Sequence, residues 1–373
     1  MASDQYLIRP YEPADREGFL ALYESVWHHA KGPEWFDWRF RSNPYGDGVQ
    51  MIVAECDGQL VGAEPLLPFP LRIGSRRVAA YQPVDWIVHP DHRRRGVFTR
   101  MTERLLGRYG DGAELLFNFP NSALLPGLKQ FDWREIGALS TGYRVQDPCP
   151  FVADTVGPAT NIALSPFLTV AKTITKQGLS VLDRVNAPAD RTTVERHAGV
   201  PTATLEGLYA AAPPERIHVP RTEAFLDWRF GNPRWEITTY VASREGDPVA
   251  SLVAATGHRD GRATTTLLDA QPMAGVKPAT DAVESLFVEF LRDNRAADVV
   301  KVPGWFDPNL RRRYGFWTDT SIPLSRRPHV SNAVVRPLGP DRDLDSPDPW
   351  QIDGRDLTAG ENWLFTLADR DIE

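Results

Sequence analysis

Residues 84–101 read VDWIVHPDHRRRGVFTRM, and the stretch asks for three backbones in succession. The apolar run 84–88 fits a strand. His89-Pro90-Asp91 fits a turn, and 99–109 has helical spacing with Leu105 and Leu106 on its apolar side. Arg93, Arg94 and Arg95 precede Gly96 where the helix begins. First-turn amides have no partner within a helix, and the helix dipole favours negative charge at that end. An arginine-rich, glycine-containing loop there suits an anion. Without a Cβ at Gly96, a pyrophosphate could approach the backbone closely.

The bulk properties set limits on the rest. The chain has 373 residues, enough for two or three domains each with its own core. A hydrophobic share of 42% and a charged share of 24% are those of a globular protein. A net charge of −7 argues against a general nucleic-acid binder or a binder of anionic membranes, so no nucleic-acid partner is expected. No run approaches the roughly 20 apolar residues of a membrane span, and the N-terminus lacks signal-peptide architecture. Cys56 and Cys149 make neither a metal cluster nor a disulfide framework, so no metal is expected. The natural compartment for such a chain is the cytoplasm.

The sequence repeats itself. Phe36-Asp-Trp-Arg-Phe-Arg-Ser-Asn-Pro44 matches Leu226-Asp-Trp-Arg-Phe-Gly-Asn-Pro233, with one residue's difference in spacing before Asn-Pro. Leu22-Tyr23 answers to Leu208-Tyr209 upstream. Downstream, Val53-Ala54 with Gly58 and Val61 answers to Val241-Ala242 with Gly246 and Val249. Asp57-Gly58 and Glu245-Gly246 are hairpin turns between strands. Asp85 has its counterpart in Asp269. A period this long marks duplication of a whole fold. The second copy has no Arg-x-x-Gly after Asp269, and Pro278 suits a helix's first turn better than an anion cradle. Trp38 and Trp228 are either stacking platforms for a ligand or core aromatics with Asp37 and Arg39 paired nearby. Their presence in both copies favours the core.

With strand, proline, arginines, glycine and helix in this order, residues 88–98 resemble the acetyl-CoA loop of GNAT-type N-acetyltransferases. That family's pattern is Arg or Gln, two residues, Gly, one residue, then Gly or Ala, after a strand ending in Val-x-Pro. Arg93 and Gly96 match. Phe98 departs, and a bulky residue there resembles the branch around the Eis-type aminoglycoside acetyltransferases. The resemblance implies an α/β protein of two tandem GNAT-like domains, each a mixed, mostly antiparallel central sheet flanked by helices. The division expected is 1–145 for the first domain, 146–190 for a connector with a helix at 167–185, 191–324 for a degenerate second domain, and 325–373 for an extension. Within the extension, the alternation of 361–367 suggests a terminal strand that docks a tryptophan into a sheet.

The resemblance also implies roles. Strand 84–88 splays from strand 113–119, and backbone groups of Ile87 and Val88 hydrogen-bond the pantetheine in the gap. Amides of Arg95, Gly96, Val97, Phe98 and Thr99 cradle the pyrophosphate, with Arg93 or Arg94 adding charge. Asn118 and Asn121 reach the pantetheine amides, although Asn121 serves equally well as a helix N-cap. Asp85 shares a strand face with Ile87 and is the candidate base for the attacking amine, with Glu64 and Glu55 as weaker alternatives. A structural Asp85, holding Arg39 or a loop, is the competing reading. The tyrosine that often protonates the departing thiolate is replaced by Leu128, so either Tyr81, Tyr109 or Tyr143 serves from elsewhere or the thiolate departs into water unassisted.

The expected function is therefore acetyl-CoA-dependent acylation of a small-molecule amine acceptor, an amino sugar or similar, in a ternary complex. Two alternatives stand beside it. One is an aminoacyl or peptide-bridge transferase resembling the FemAB group, and the other is a non-catalytic acyl-CoA-binding scaffold.

Overall fold

A computed structural model describes residues 5–121, 124–149, 192–259, 261–273, 280–321, 331–339 and 342–370, with part of 172–183. The first copy runs β1 (Leu7–Pro10), α1 (Arg16–Trp27), α2 (Pro33–Phe36), β2 (Gln50–Cys56), β3 (Gln59–Ile73), β4 (Arg76–Pro83) and β5 (Ile87–Val88). It continues through α3 (Val97–Tyr109), β6 (Leu115–Asn118), α4 (Leu125–Lys129), β7 (Arg134–Leu139) and β8 (Thr141–Val145). The second copy repeats this plan as β9 (Thr193–Ala198), α5 (Thr202–Ala211), α6 (Glu223–Phe230), β10 (Glu236–Arg244), β11 (Asp247–Arg259) and β12 (Arg262–Gln271). Then come α7 (Thr280–Asp293), β13 (Val299–Pro303), α8 (Pro308–Arg313), β14 (Trp317–Thr318) and β15 (Ser331–Pro337). Pro278 lies outside the described residues. So does most of the connector, of which 177–183 are helical.

Both hairpin turns form as their sequences require. Asp57 and Gly58 have φ of 51° and 77°, and Glu245 and Gly246 have 54° and 95°, the paired positive values that match strand twist.

The two sheets have the same strand order, with one exchange. The first is β1-β2-β3-β4-β6-β15-β7, with β5 beside β3, and the second is β9-β10-β11-β12-β13-β8-β14. Strand β8, from the end of the first copy, pairs with β13 and β14 of the second. Strand β15, from the end of the second, enters the first sheet between β6 and β7. The expected boundaries near 145 and 325 thus follow the repeat along the chain but not the two sheets. Within the expected extension, β15 is no appendage, because it completes the first sheet. The physical reason is that β8 and β15 occupy equivalent positions, so each fits the other's slot.

Three apolar layers result. Met101, Leu105 and Val97 of α3 pack on Ile52, Leu66 and Leu116 of the first sheet. Leu286, Phe287 and Phe290 of α7 pack on the second sheet at Leu252, Leu267 and Val300. The largest layer joins the copies, with Phe36, Trp38 and Phe69 meeting Phe225, Trp228 and Phe365. The repeated tryptophans are therefore core residues. Asp37 pairs with Arg41 and Arg16 rather than with Arg39, at 3.3 and 3.5 Å.

The extra residue in the first box has a backbone consequence. Residues Asp37–Arg41 form a π-turn in which the Ser42 amide donates to the Asp37 carbonyl at 2.8 Å. In the second copy, Gly231 closes an ordinary turn onto Asp227 at 3.1 Å. One inserted residue is the usual origin of such a bulge.

The strand expected at 361–367 does not form. A short 3-10 turn, Gly360–Asn362, leads into irregular backbone that meets Ile217 through a single bridge at Trp363. Trp363 is buried as expected, and its indole N–H donates to Leu357 O at 2.8 Å.

Candidate active site

Parallel pairing of β4 with β6 covers only Ala80 with Leu115 and Tyr81 with Leu116. Beyond this point the chain leaves β4 through Val84, Asp85 and Trp86, and β5 rejoins the sheet by pairing Ile87 with Ala63 and Val88 with Gly62. The expected continuous strand 84–88 is thus a bulge followed by two paired residues. A wedge opens between this bulge and the end of β6.

The wedge is the floor of a cavity of about 1000 Å³. Its walls include Asp85, Ile87, Val88, Arg93, Arg94, Gly96, Val97, Phe98, Thr99, Asn118 and Asn121. Of the residues assigned to the coenzyme in the sequence, Arg95 alone is not on the lining, and its guanidinium reaches Tyr6 Oη at 3.4 Å.

At one end of the cavity, helix α3 begins at Val97 with Gly96 as its left-handed cap, φ 75°. Arg94 also has positive φ, 59°. An ideal Cβ on Gly96 would meet nothing within 4 Å, so the space beside it is open. Arg93 Nε donates to the Val88 carbonyl at 3.0 Å, which ties the loop to β5. Phe98 is accommodated by a missing side chain: a Cβ on Gly127 of α4 would lie 3.1 Å from the Phe98 ring. Trp86 and Phe131 flank that ring edge-on at 5.9 and 6.2 Å. The opening turn of α3 therefore presents cationic side chains and the positive end of a 13-residue helix to the cavity.

In the middle, Asp85 stands on the bulge with φ 47°, and its carboxylate accepts from Arg39 Nε at 2.8 Å. Arg39 is 1% exposed and lies over the Trp35 and Phe40 rings. The ion pair links the π-turn to the bulge. Asn121 Oδ1 accepts from the Leu124 amide at 2.9 Å, the capping geometry, while its residue still borders the cavity. Asn118 Oδ1 accepts from the next amide, Phe119, at 2.6 Å.

Tyr23, Val26, Trp27 and His29, at and just beyond the end of α1, also line the cavity, and sequence reasoning did not assign them to the site. Tyr23 packs against Trp27, His29 and Trp35 at 6.4, 5.5 and 5.2 Å. The local signal was the aromatic cluster Tyr23, Trp27, His28 and His29, but nothing in its spacing points to the bulge at Asp85. Tyr81, Tyr109 and Tyr143 do not line the cavity, and Tyr143 belongs to the second sheet.

Glu64 is fully buried on β3, where Thr102 of α3 donates to it at 2.9 Å. Burial holds its carboxyl well above the usual carboxylate range. It is not on the cavity wall, whereas Glu55 is tied up with Arg9 at 2.8 Å. Among the described residues, no group of three or more His, Cys, Asp or Glu side chains is placed to hold a metal, and no helix is long and apolar enough to cross a membrane.

Comparison with known proteins agrees with this geometry. Residues 7–136 match the family model described as an acetyltransferase (GNAT) domain. No curated protein sequence matches. Among solved structures, a probable N-acyltransferase of unknown function from Enterococcus faecalis superposes with a TM-score of 0.61 at 11% identity, covering 89% of this chain and 72% of that one. A GCN5-related N-acetyltransferase from Anabaena variabilis gives 0.56 at 11% identity, with coverage of 89% and 72%. A tandem GNAT protein from the clavulanic acid biosynthesis pathway gives 0.54 at 14% identity, with coverage of 90% and 100%. At these identities the likeness concerns the fold. Residues 7–136 thus match a GNAT acetyltransferase domain, and with a second sheet of the same strand order the chain has the fold of two tandem GNAT-like domains.

Proposed function

We propose that the first copy transfers the acetyl group of acetyl-CoA directly to the amino group of a small molecule, an amino sugar or similar amine, within a ternary complex. The observation that carries this reading is continuity. One cavity joins the cationic N-terminus of α3, the wedge between bulge and β6, and the aromatic end of α1.

Residues 93–99 hold the anionic part of the coenzyme, using first-turn amides, the helix dipole and Arg93 or Arg94. Ile87 and Val88 orient the thioester arm along the wedge. Acyl transfer forms a C–N bond, breaks the C–S bond and releases the amine's proton to water in the cavity; negative charge develops on the carbonyl oxygen on the way, so backbone donors at the bulge assist it. Asp85 acts as a positioning residue. Its carboxylate is committed to Arg39, and together they fix the bulge that splays the strands. Tyr23, the tyrosine on the cavity wall, is the proton donor to the departing thiolate in this reading.

Thiol release from acetyl-CoA, followed over a panel of primary amines, tests the proposal. Amine-dependent turnover with an intersecting two-substrate pattern is expected. Coenzyme binding without turnover on any amine would favour the scaffold reading, and indifference to acetyl-CoA would favour a tRNA-dependent one.

A further inference from the structure

The second copy has its own wedge, and that wedge is filled. Parallel pairing of β12 with β13 joins Thr264 to Val299, Thr265 to Val300 and Thr266 to Lys301, then stops while both strands continue. Alignment on these pairs sets Thr264 beside Ala80 and Val299 beside Leu115. Leu268 then corresponds to Val84, Asp269 to Asp85 and Trp305 to Asn121. As in the first copy, the strand is irregular here, because the register shift opposite Val253 leaves Leu268 unpaired in the ladder.

Leu268 and Trp305 meet the segment 363–370 directly, and Asp269 meets it through Arg221. The Ala368 amide donates to Leu268 O at 3.0 Å. Arg221 donates to both carboxylates, to Asp269 at 3.0 Å and to Asp369 at 3.1 Å. Trp305 Nε1 donates to Phe365 O at 2.7 Å. Leu364 packs with Tyr209, the counterpart of cavity-lining Tyr23, and with Met273. Arg229, the second-copy counterpart of Arg39, donates to the carbonyls of Ala368 and Arg370 at 2.6 and 2.7 Å. All eight residues of the segment are buried.

We propose that the second wedge is a peptide-binding cleft whose occupant is this chain's own 363–370 segment, seated where the first copy keeps its cavity. The occupant is recognised by main-chain hydrogen bonds and by one buried Asp–Arg–Asp triad. The same segment reaches the other site. Phe365 stacks on Phe117 at 5.8 Å and meets Phe119, a wall of the first cavity, edge-on at 4.9 Å, while Gln82 donates to Asp369 O at 2.9 Å. The occupied second cleft therefore braces one wall of the first. None of this depends on what the first cavity binds.

The test uses the full chain with a protease site inserted between the exposed Gly360 and Glu361. After cleavage of the folded protein, the released fragment should co-elute with the body on gel filtration. A fluorescent synthetic peptide of sequence WLFTLADR should exchange in saturably, and its Asp369→Asn form should bind at least tenfold more weakly. A fragment that departs from a folded body, with no uptake of the synthetic peptide, overturns the proposal. A second measurement needs no cleavage. In the intact chain, the amides of Leu364, Thr366 and Ala368 should exchange with deuterium within about tenfold of the β12 amides, and exchange at the rate of surface loops would equally overturn it.

Discussion

Trp38 and Trp228 each donate the indole N–H to the other's backbone carbonyl, at 2.6 and 2.9 Å, with their rings stacked at 6.4 Å. The repeated box is thus an internal two-fold contact, in which the same residue plays both roles. Trp38→Phe and Trp228→Phe should each destabilise the chain by about 1 kcal/mol, because each removes a buried hydrogen bond. The double variant should cost less than the two single losses together. Urea unfolding measures this, and strict additivity would show that the two indoles act separately.

The Arg39–Asp85 pair makes a sharper prediction about mechanism. If Asp85 positions the bulge, Asp85→Asn and Arg39→Met lower kcat/KM to a similar extent, and combining them adds little. Were Asp85 the base instead, Asp85→Asn would abolish turnover and its acid limb, while Arg39→Met would spare much of both. Steady-state pH profiles of the three variants separate these outcomes.

Tyr23→Phe should reduce kcat by about 10²-fold, within the usual range for a lost proton donor. The KM for acetyl-CoA should hardly change, since Tyr23 is not among the residues assigned to the coenzyme. An unchanged kcat would remove Tyr23 from the chemistry and leave the thiolate to depart into water.

His218 governs part of the acid stability. It is fully buried, with Nε2 bonded to Tyr209 Oη at 2.8 Å, and burial pushes its pKa down to about 4. Below its ordinary value of 6.5, the unfolded chain binds a proton that the folded chain refuses. Stability from this group is therefore complete above about pH 6.5 and is lost as pH falls towards 4, by about 3 kcal/mol in all. His218→Gln should flatten that stretch of the stability curve, although it will be less stable at pH 7. An unaltered slope between pH 6.5 and 4 would contradict this.

Much of this molecule is legible in its residues, and the remainder is hidden for physical reasons. The Asp-Trp-Arg-Phe boxes announce the duplication, and Asp57-Gly58 and Glu245-Gly246 announce their hairpins because only certain residues tolerate positive φ at both turn positions. The order strand, arginines, Gly96, helix was enough to locate one end of the cavity. Which sheet receives β8 and which receives β15 was not legible, because both are short strands of the same kind and their partners lie far along the chain. The one-residue difference after the boxes was visible in the sequence. Its outcome was not: a π-turn that aims Arg39 at Asp85, while Arg229 reaches the 363–370 segment. The alternation in 361–367 signalled burial correctly and strand wrongly, because this segment fills a wedge between two strands and joins neither ladder.

The most direct test of the central claim is thermal unfolding with and without acetyl-CoA, on wild type and Gly96→Asp. The substitution suits the purpose: Cβ space at Gly96 is open, and Asp is among the residues that tolerate left-handed φ, so the variant should fold. It places a carboxylate where the anion would sit. At 100 times its Kd, acetyl-CoA should stabilise wild type by about 2.7 kcal/mol, raising Tm visibly, and should leave Gly96→Asp unmoved. Equal shifts in the two proteins would move the coenzyme away from the α3 N-terminus, and no shift in either folded protein would contradict the account.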